Sequence, residues 1–213
     1  MSWYSKVVWS EGLFLRPHHL QQSDRYLETL LESRVRHTTP YPWGFSVLEI
    51  DRDLAQQSRI GLRRAVGVMP DGTPFALPDN SPLPAAIEVP ENAAGQIVWL
   101  SLPLAAANTR EVENTLNGSA SRYVPANEML IDSTASLRTE EEIDVAHPRL
   151  TLELRKTSKA GYVGLALGRI LEVRDRAILF DEKFAPPVLV CSAYPVIEGW
   201  LDRVIGWIDN KLE

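Results

Sequence analysis

Apolar residues return on one side of a helix between about Pro17 and Arg36. Leu20, Leu27, Leu31 and Val35 fall at spacings of four and seven, with Tyr26 and Leu30 at the margin of the same face. Pro17 suits a first helical position, where the missing N–H has no intrahelical partner to lose. Thr38-Thr39-Pro40 and Tyr41-Pro42 then end the helix, because residues before proline avoid helical backbone angles. A one-sided helix needs a sheet or another helix to lie against. Phe14 and Leu15 are therefore expected to anchor the preceding segment in the core, and Leu20 and Leu27 to pin the helix to a sheet.

From Trp43 to about Val190 the period changes to that of strands. Trp43–Asp51, Arg59–Met69, Ile97–Leu104, Tyr123–Asp132, Leu150–Lys156, Tyr162–Val173 and Ala177–Phe180 are short and rich in β-formers. Leu150, Leu152 and Leu154 alternate with Thr151, Glu153 and Arg155, as in a half-buried strand. Pro70-Asp71-Gly72-Thr73, Asn117-Gly118 and Arg174-Asp175-Arg176 read as turns. Many short strands without long intervening helices predict a mainly β protein, an antiparallel β-sandwich. Pro70, Pro74, Pro78, Pro82, Pro84 and Pro90 mark an extended excursion around a sheet edge. Glu128–Asp144 holds six acids against one base, Arg138, and reads as a solvated loop.

A second helix is expected from about Pro195 to Leu212. Val196, Ile197, Trp200, Leu201, Val204, Ile205, Trp207, Ile208 and Leu212 fill one arc of about 180° at 100° per residue. Lys211 alone intrudes, and its stem can lie along apolar surface. Glu198, Gly199, Asp202, Arg203, Gly206, Asp209, Asn210 and Glu213 take the other half. One reading packs this helix on its own sandwich. The width of the arc, with tryptophans at i and i+7, favours an oligomer seam instead.

Charge and composition narrow the function by exclusion. The 213 residues carry 22 basic and 28 acidic side chains, a net −6 with pI near 5.3. Phosphate neutralisation needs a Lys/Arg excess, so a general nucleic-acid or anionic-membrane binder is not expected. Cys191 is the sole cysteine; it rules out an internal disulfide, suits a reducing compartment, and in Val188–Ala193 reads as buried packing. The start has no signal-peptide pattern, and Ile97–Ala107 is too short for a membrane span. A soluble, cytoplasmic protein is expected.

Candidate chemistry is sparse. His18 and His19 are adjacent and lack a partner at i+4; His18 should face solvent and His19 lie beside Tyr26 and Leu30. His37 ends the first helix, and His147 before Pro148 reads as a turn residue. Gly161, Gly164 and Gly168 do not have phosphate-loop spacing and fit bulges or close packing. Asn117-Gly118-Ser119 matches a glycosylation acceptor but reads as a turn without a secretory signal. No enzyme, metal or cofactor is expected.

The run Trp9-Ser10-Glu11-Gly12-Leu13-Phe14-Leu15-Arg16-Pro17-His18-His19-Leu20-Gln21-Gln22 resembles the start of the TssK (ImpJ/VasE) family, baseplate subunits of the bacterial type VI secretion system. Tyr41-Pro42-Trp43-Gly44, Pro70-Asp71-Gly72 and Phe184-Ala185-Pro186-Pro187 fall where that family has similar features, so the likeness spans the chain. It implies a phage receptor-binding-protein-like β-sandwich shoulder at 1–190 and the start of a helical neck at 191–213, the C-terminal head being absent. It also implies a homotrimeric structural adaptor that engages TssF and TssG. TssL and TssM of the inner-membrane complex would be reached only through the missing head, at the cytoplasmic face of that membrane. Trp9, Glu11, Gly12, Phe14, Leu15, Pro17, His18, His19, Gln21 and Gln22 are then structural, and Ile197, Trp200, Leu201, Val204, Ile205, Trp207, Ile208 and Leu212 form the threefold seam. The alternative is a β-sandwich binding module for a small molecule or carbohydrate, using aromatic platforms among the six tryptophans.

Overall fold

The computed structural model describes residues 4–106, 109–113, 121–134 and 139–212. Trp3, Asn117-Gly118-Ser119, Arg138, Glu213 and the side chain of Leu212 lie outside the described residues. The chain divides into two compact units, Met1–Pro42 and Trp43–Glu213.

The first unit is one helix and the segment leading into it. Helix α1 runs Pro17–Thr38, with proline at its start and Thr39 N–H closing its end on Val35 O. No residue of α1 is buried. Its half-buried positions include His19, Gln22, Tyr26 and Leu30, the expected margin, whereas Leu20, Leu27, Leu31 and Val35 are exposed. Phe14 is 78% exposed and Leu15 is also exposed, so neither anchors a core as expected. The reason is size: a helix and a short strap supply no second layer to enclose them.

In the second unit the elements follow as β1 (Gly44–Ile50), α2 (Arg52–Ala55), β2 (Arg59–Ile60), β3 (Leu62–Val68), β4 (Pro74–Leu77), β5 (Ile87–Glu88), β6 (Ile97–Pro103), β7 (Tyr123–Ile131), β8 (Glu140–Pro148), β9 (Thr151–Arg155), β10 (Tyr162–Arg174), β11 (Ala177–Phe180) and α3 (Pro195–Leu212). One sheet has the order β1-β3-β4 and the other β11-β10-β6-β9, all antiparallel, with β2-β5 and β7-β8 as separate pairs. Phe45, Leu48, Ala65, Phe75 and Leu77 from the first sheet share one core with Val98, Leu100, Leu102, Leu152, Leu165 and Ile178 from the second. The fold is thus the antiparallel β-sandwich expected, with a helix at each end of the chain. Phe45 and Phe75 meet edge-on at its centre, rings 5.9 Å apart.

The strand glycines mark close packing. Gly164 lies under Trp99, where an added Cβ would sit 3.2 Å from the ring, and Gly168 lies under Phe180. Between Ala166 and Gly168 the pairing with β6 slips by one, so inward positions pass from Val163 and Leu165 to Ile170. Asp175 and Arg176 both have positive φ, closing the two-residue β10–β11 hairpin. At the other sheet, Phe45 N–H donates to Pro187 O at 2.9 Å and Leu189 N–H donates to Phe45 O at 2.8 Å. Pro187–Leu189 thereby lies parallel to the edge of β1. A Cβ on Gly44 would stand 2.8 Å from Pro187 O at a φ of +136°, so glycine is required there.

Three expectations need correction. Glu128–Asp144 is largely a paired β-ribbon, because a ribbon that stands in water on both faces lets consecutive carboxylates point to either side. His147 accordingly lies on β8, not in a turn. Cys191 is exposed: Val188 and Ala193 take the inward positions, leaving Leu189, Val190 and Cys191 outside. The proline-rich excursion also contains β4, whose Phe75 and Leu77 are core residues at the sheet edge.

Candidate interaction surfaces

The Trp9–Gln22 run has a definite local structure. Gly12 takes φ +77°, a left-handed turn, and Leu13 N–H donates to Ser10 O at 3.2 Å. His19 Nδ1 accepts the N–H of Arg16 at 3.1 Å, three residues back, as one half of a capping box; arginine, a pure donor, cannot supply the other half. Trp9 stacks obliquely near His19, ring centroids 6.3 Å apart, and Gln22 Nε2 donates to Ser5 O at 2.7 Å. Leu13, Phe14, Arg16, His18 and His19 line an open hollow of about 510 Å³. His18 faces outward as expected. The capping role of His19 was not anticipated, although Xaa-Pro-Xaa-His at a helix start is where such a bond forms.

Helix α3 turns its apolar arc outward. Trp200, Leu201, Val204, Ile205 and Ile208 are exposed, Trp207 by 67%, and Ile197 is half-buried. The short 3-10 turn Cys191–Ala193, with Ala193 buried, precedes it, and at the helix start Tyr194 O accepts from Ile197 N–H at 3.0 Å. Burial pushes the Tyr194 phenol above its ordinary pKa.

A polar knot that sequence reading missed fixes the base of the β7–β8 ribbon. Arg122 is 7% exposed. Its guanidinium donates to Pro103 O at 2.6 Å, to Asp71 Oδ2 at 2.7 Å and to the Thr73 hydroxyl. Asp71 Oδ1 accepts from Thr73 N–H and Oγ1, which shapes the β3–β4 turn. Burial opposes the Arg122 charge, but Asp71 and Tyr123 together outweigh it and raise the pKa. Beside it, Arg149 donates to Ser121 O at 3.0 Å and Glu113 O at 2.6 Å. An arginine in a polar run carries no periodic signal, so only the Pro70–Thr73 turn could have pointed to a partner.

Beyond that knot the ribbon is bare. Met129, Leu130, Ile131 and Ile143 are exposed, and Glu128, Glu140, Glu141, Glu142 and Asp144 lie among them. Near its base, Ser81, His147 and Pro148 with β4 line a second hollow of about 360 Å³. His147 stands 3.5 Å from Ser81 Oγ and from Glu128 Oε1, too far for strong bonding. Among the described residues no group of three or more His, Cys, Asp and Glu is placed to hold a metal. No helix among them is long and apolar enough to cross a membrane. Trp99, the tryptophan on a strand, is half-buried over Gly164 and is not an open platform.

These features define a β-sandwich scaffold whose exposed apolar helices and charged ribbon suit assembly with other proteins. Residues 19–213 match the family described as "Bacterial Type VI secretion, VC_A0110, EvfL, ImpJ, VasE". The chain is 37% identical along its whole length to the type VI secretion system baseplate component TssK1 of Pseudomonas aeruginosa (strain PAO1), covering 48% of that protein. It also matches a crystal structure of TssK at TM-score 0.90 and 32% identity, over 97% of this chain and 47% of that one. A chain of the TssK–TssF–TssG baseplate subcomplex matches at TM-score 0.79 and 25% identity, over 90% of this chain and 64% of the other. The chain belongs to the ImpJ/VasE family of type VI secretion proteins. It spans about half the length of the curated relative it matches.

Proposed function

We propose that the chain is a structural adaptor of the type VI secretion baseplate, without enzymatic activity, that engages TssF and TssG and associates as a homotrimer through α3. Residues 1–190 serve as the shoulder and 191–213 as the start of a neck, in the cytoplasm. TssL and TssM are contacted only through a head beyond this chain. The observation that carries the reading is the likeness to a chain of the TssK–TssF–TssG baseplate subcomplex, beside that to TssK itself. The outward arc of Trp200, Leu201, Val204, Ile205, Trp207 and Ile208, which half-buried Ile197 continues, supports the self-association, since each large apolar side chain left in water forgoes about 1.5–3 kcal/mol. The test is co-purification with TssF and TssG from the same genome, with light scattering of the chain alone. A stable complex and a trimeric mass at tens of micromolar are expected. A monomer that captures neither protein refutes the reading.

A further inference from the structure

The β7–β8 ribbon pairs nine residues with nine, Tyr123↔Pro148 through Ile131↔Glu140. A two-stranded ribbon is marginally stable in water unless one face is covered. Here the base is held by Arg122 and Arg149, while the outer half is exposed on both strands. Directly paired residues share a face, so one face carries Met129 and Ile131 with Glu140, Glu142 and Asp144. Met129 is 59% exposed and Ile131 is also exposed. Among the described residues, Glu140, Glu142 and Asp144 have no cation within ion-pair distance, and Glu142 accepts only from Asn127 Nδ2, at 2.9 Å.

Charge decides what can cover this face. A second ribbon would bring the same carboxylates against one another, which is destabilising. Four arginines of the sandwich are already matched: Arg64 with Asp79, Arg122 with Asp71, Arg155 with Glu153 and Arg169 with Asp181. Nucleic acid has the wrong sign. We infer that the Met129/Ile131/Glu140/Glu142/Asp144 face of the ribbon docks a cationic protein surface that also offers apolar side chains, and that this surface belongs to the TssF–TssG subcomplex. The inference rests on the baseplate reading above. The carboxylates steer the approach and set the orientation, and the Met129 and Ile131 side chains supply the area buried.

The experiment is titration calorimetry of purified TssF–TssG into the chain at low and high salt, with three variants. Glu140→Lys/Glu142→Lys/Asp144→Lys should weaken Kd at least tenfold. Glu140→Gln/Glu142→Gln/Asp144→Asn should weaken it several-fold and flatten its salt dependence. Met129→Ser/Ile131→Ser should weaken it about tenfold while keeping that dependence. Thermal melts identify a misfolded variant, and the neutral triple then carries the test. If the parent binds and the folded variants bind equally well, the ribbon proposal is overturned and the baseplate reading stands. If the parent fails to bind TssF–TssG, both fall.

Discussion

The sandwich and α3 belong to the same compact unit and use apolar residues in opposite ways. Leu100, Leu102, Leu165 and Ile170 are fully buried between two sheets. Trp200, Val204, Ile205 and Ile208, just as apolar, face outward. In the first case the sequence folds against itself; in the second it leaves its apolar arc exposed. Apolar periodicity announces that a face will be covered, and only the count of available layers tells by what.

Substitutions can break or sharpen that contrast. The largest effect should come from Leu165→Ala, which opens a cavity in the shared core; a loss of about 2–5 kcal/mol is expected in urea melts. Arg122→Ala follows at about 3 kcal/mol, since it removes three bonds and leaves Asp71 and Pro103 O without their buried donor. Circular dichroism of His19→Ala should show about 1 kcal/mol lost at the start of α1, with His18→Ala nearly silent. In dilute chain, Trp200→Glu/Ile208→Glu should shift unfolding by no more than about 0.5 kcal/mol yet lower the mass by light scattering. A large loss of monomer stability would instead mean that α3 belongs to the core.

The smallest effect concerns acid. Asp51 caps α2, accepting the N–H of Leu54 and Asp53, and these bonds hold its carboxyl below the ordinary value. A depressed folded pKa adds stability above the unfolded value of about 4 and loses it as pH falls through the folded value. Asp51→Asn should therefore flatten the acid limb of the stability curve below pH ~4 and leave neutral pH little changed.

What could be read in advance follows the same division. α3 matches its predicted bounds, Pro195–Leu212, and α1 runs two residues beyond the predicted end at Arg36, because 3.6-residue periodicity is a local property. The central strands β6 and β10 were legible from β-branched and leucine-rich runs, and Gly164 and Gly168 from their wrong spacing for a phosphate loop, whereas Gly161 is a turn residue at φ +77° with no packed neighbour. β8 was not legible, because Glu140-Glu141-Glu142 carries no alternation. Phe14 and Leu15 were misjudged for another reason: hydrophobicity favours burial, but the first unit supplies no second layer to enclose them. The Arg122 knot joins positions some 50 residues apart in sequence, which no local pattern encodes.

The union of Phe45 with Pro187 and Leu189 has a consequence for synthesis. The edge of β1 is made early in translation, yet the segment that covers it emerges from the ribosome only after every other strand. During that interval β1 presents open N–H and C=O groups, a site for mispairing with a neighbouring nascent chain. Contacts between distant parts of a chain also form slowly. Variants that weaken Pro187–Leu189 should thus appear first as poor soluble yield, before any loss is measurable in the purified protein.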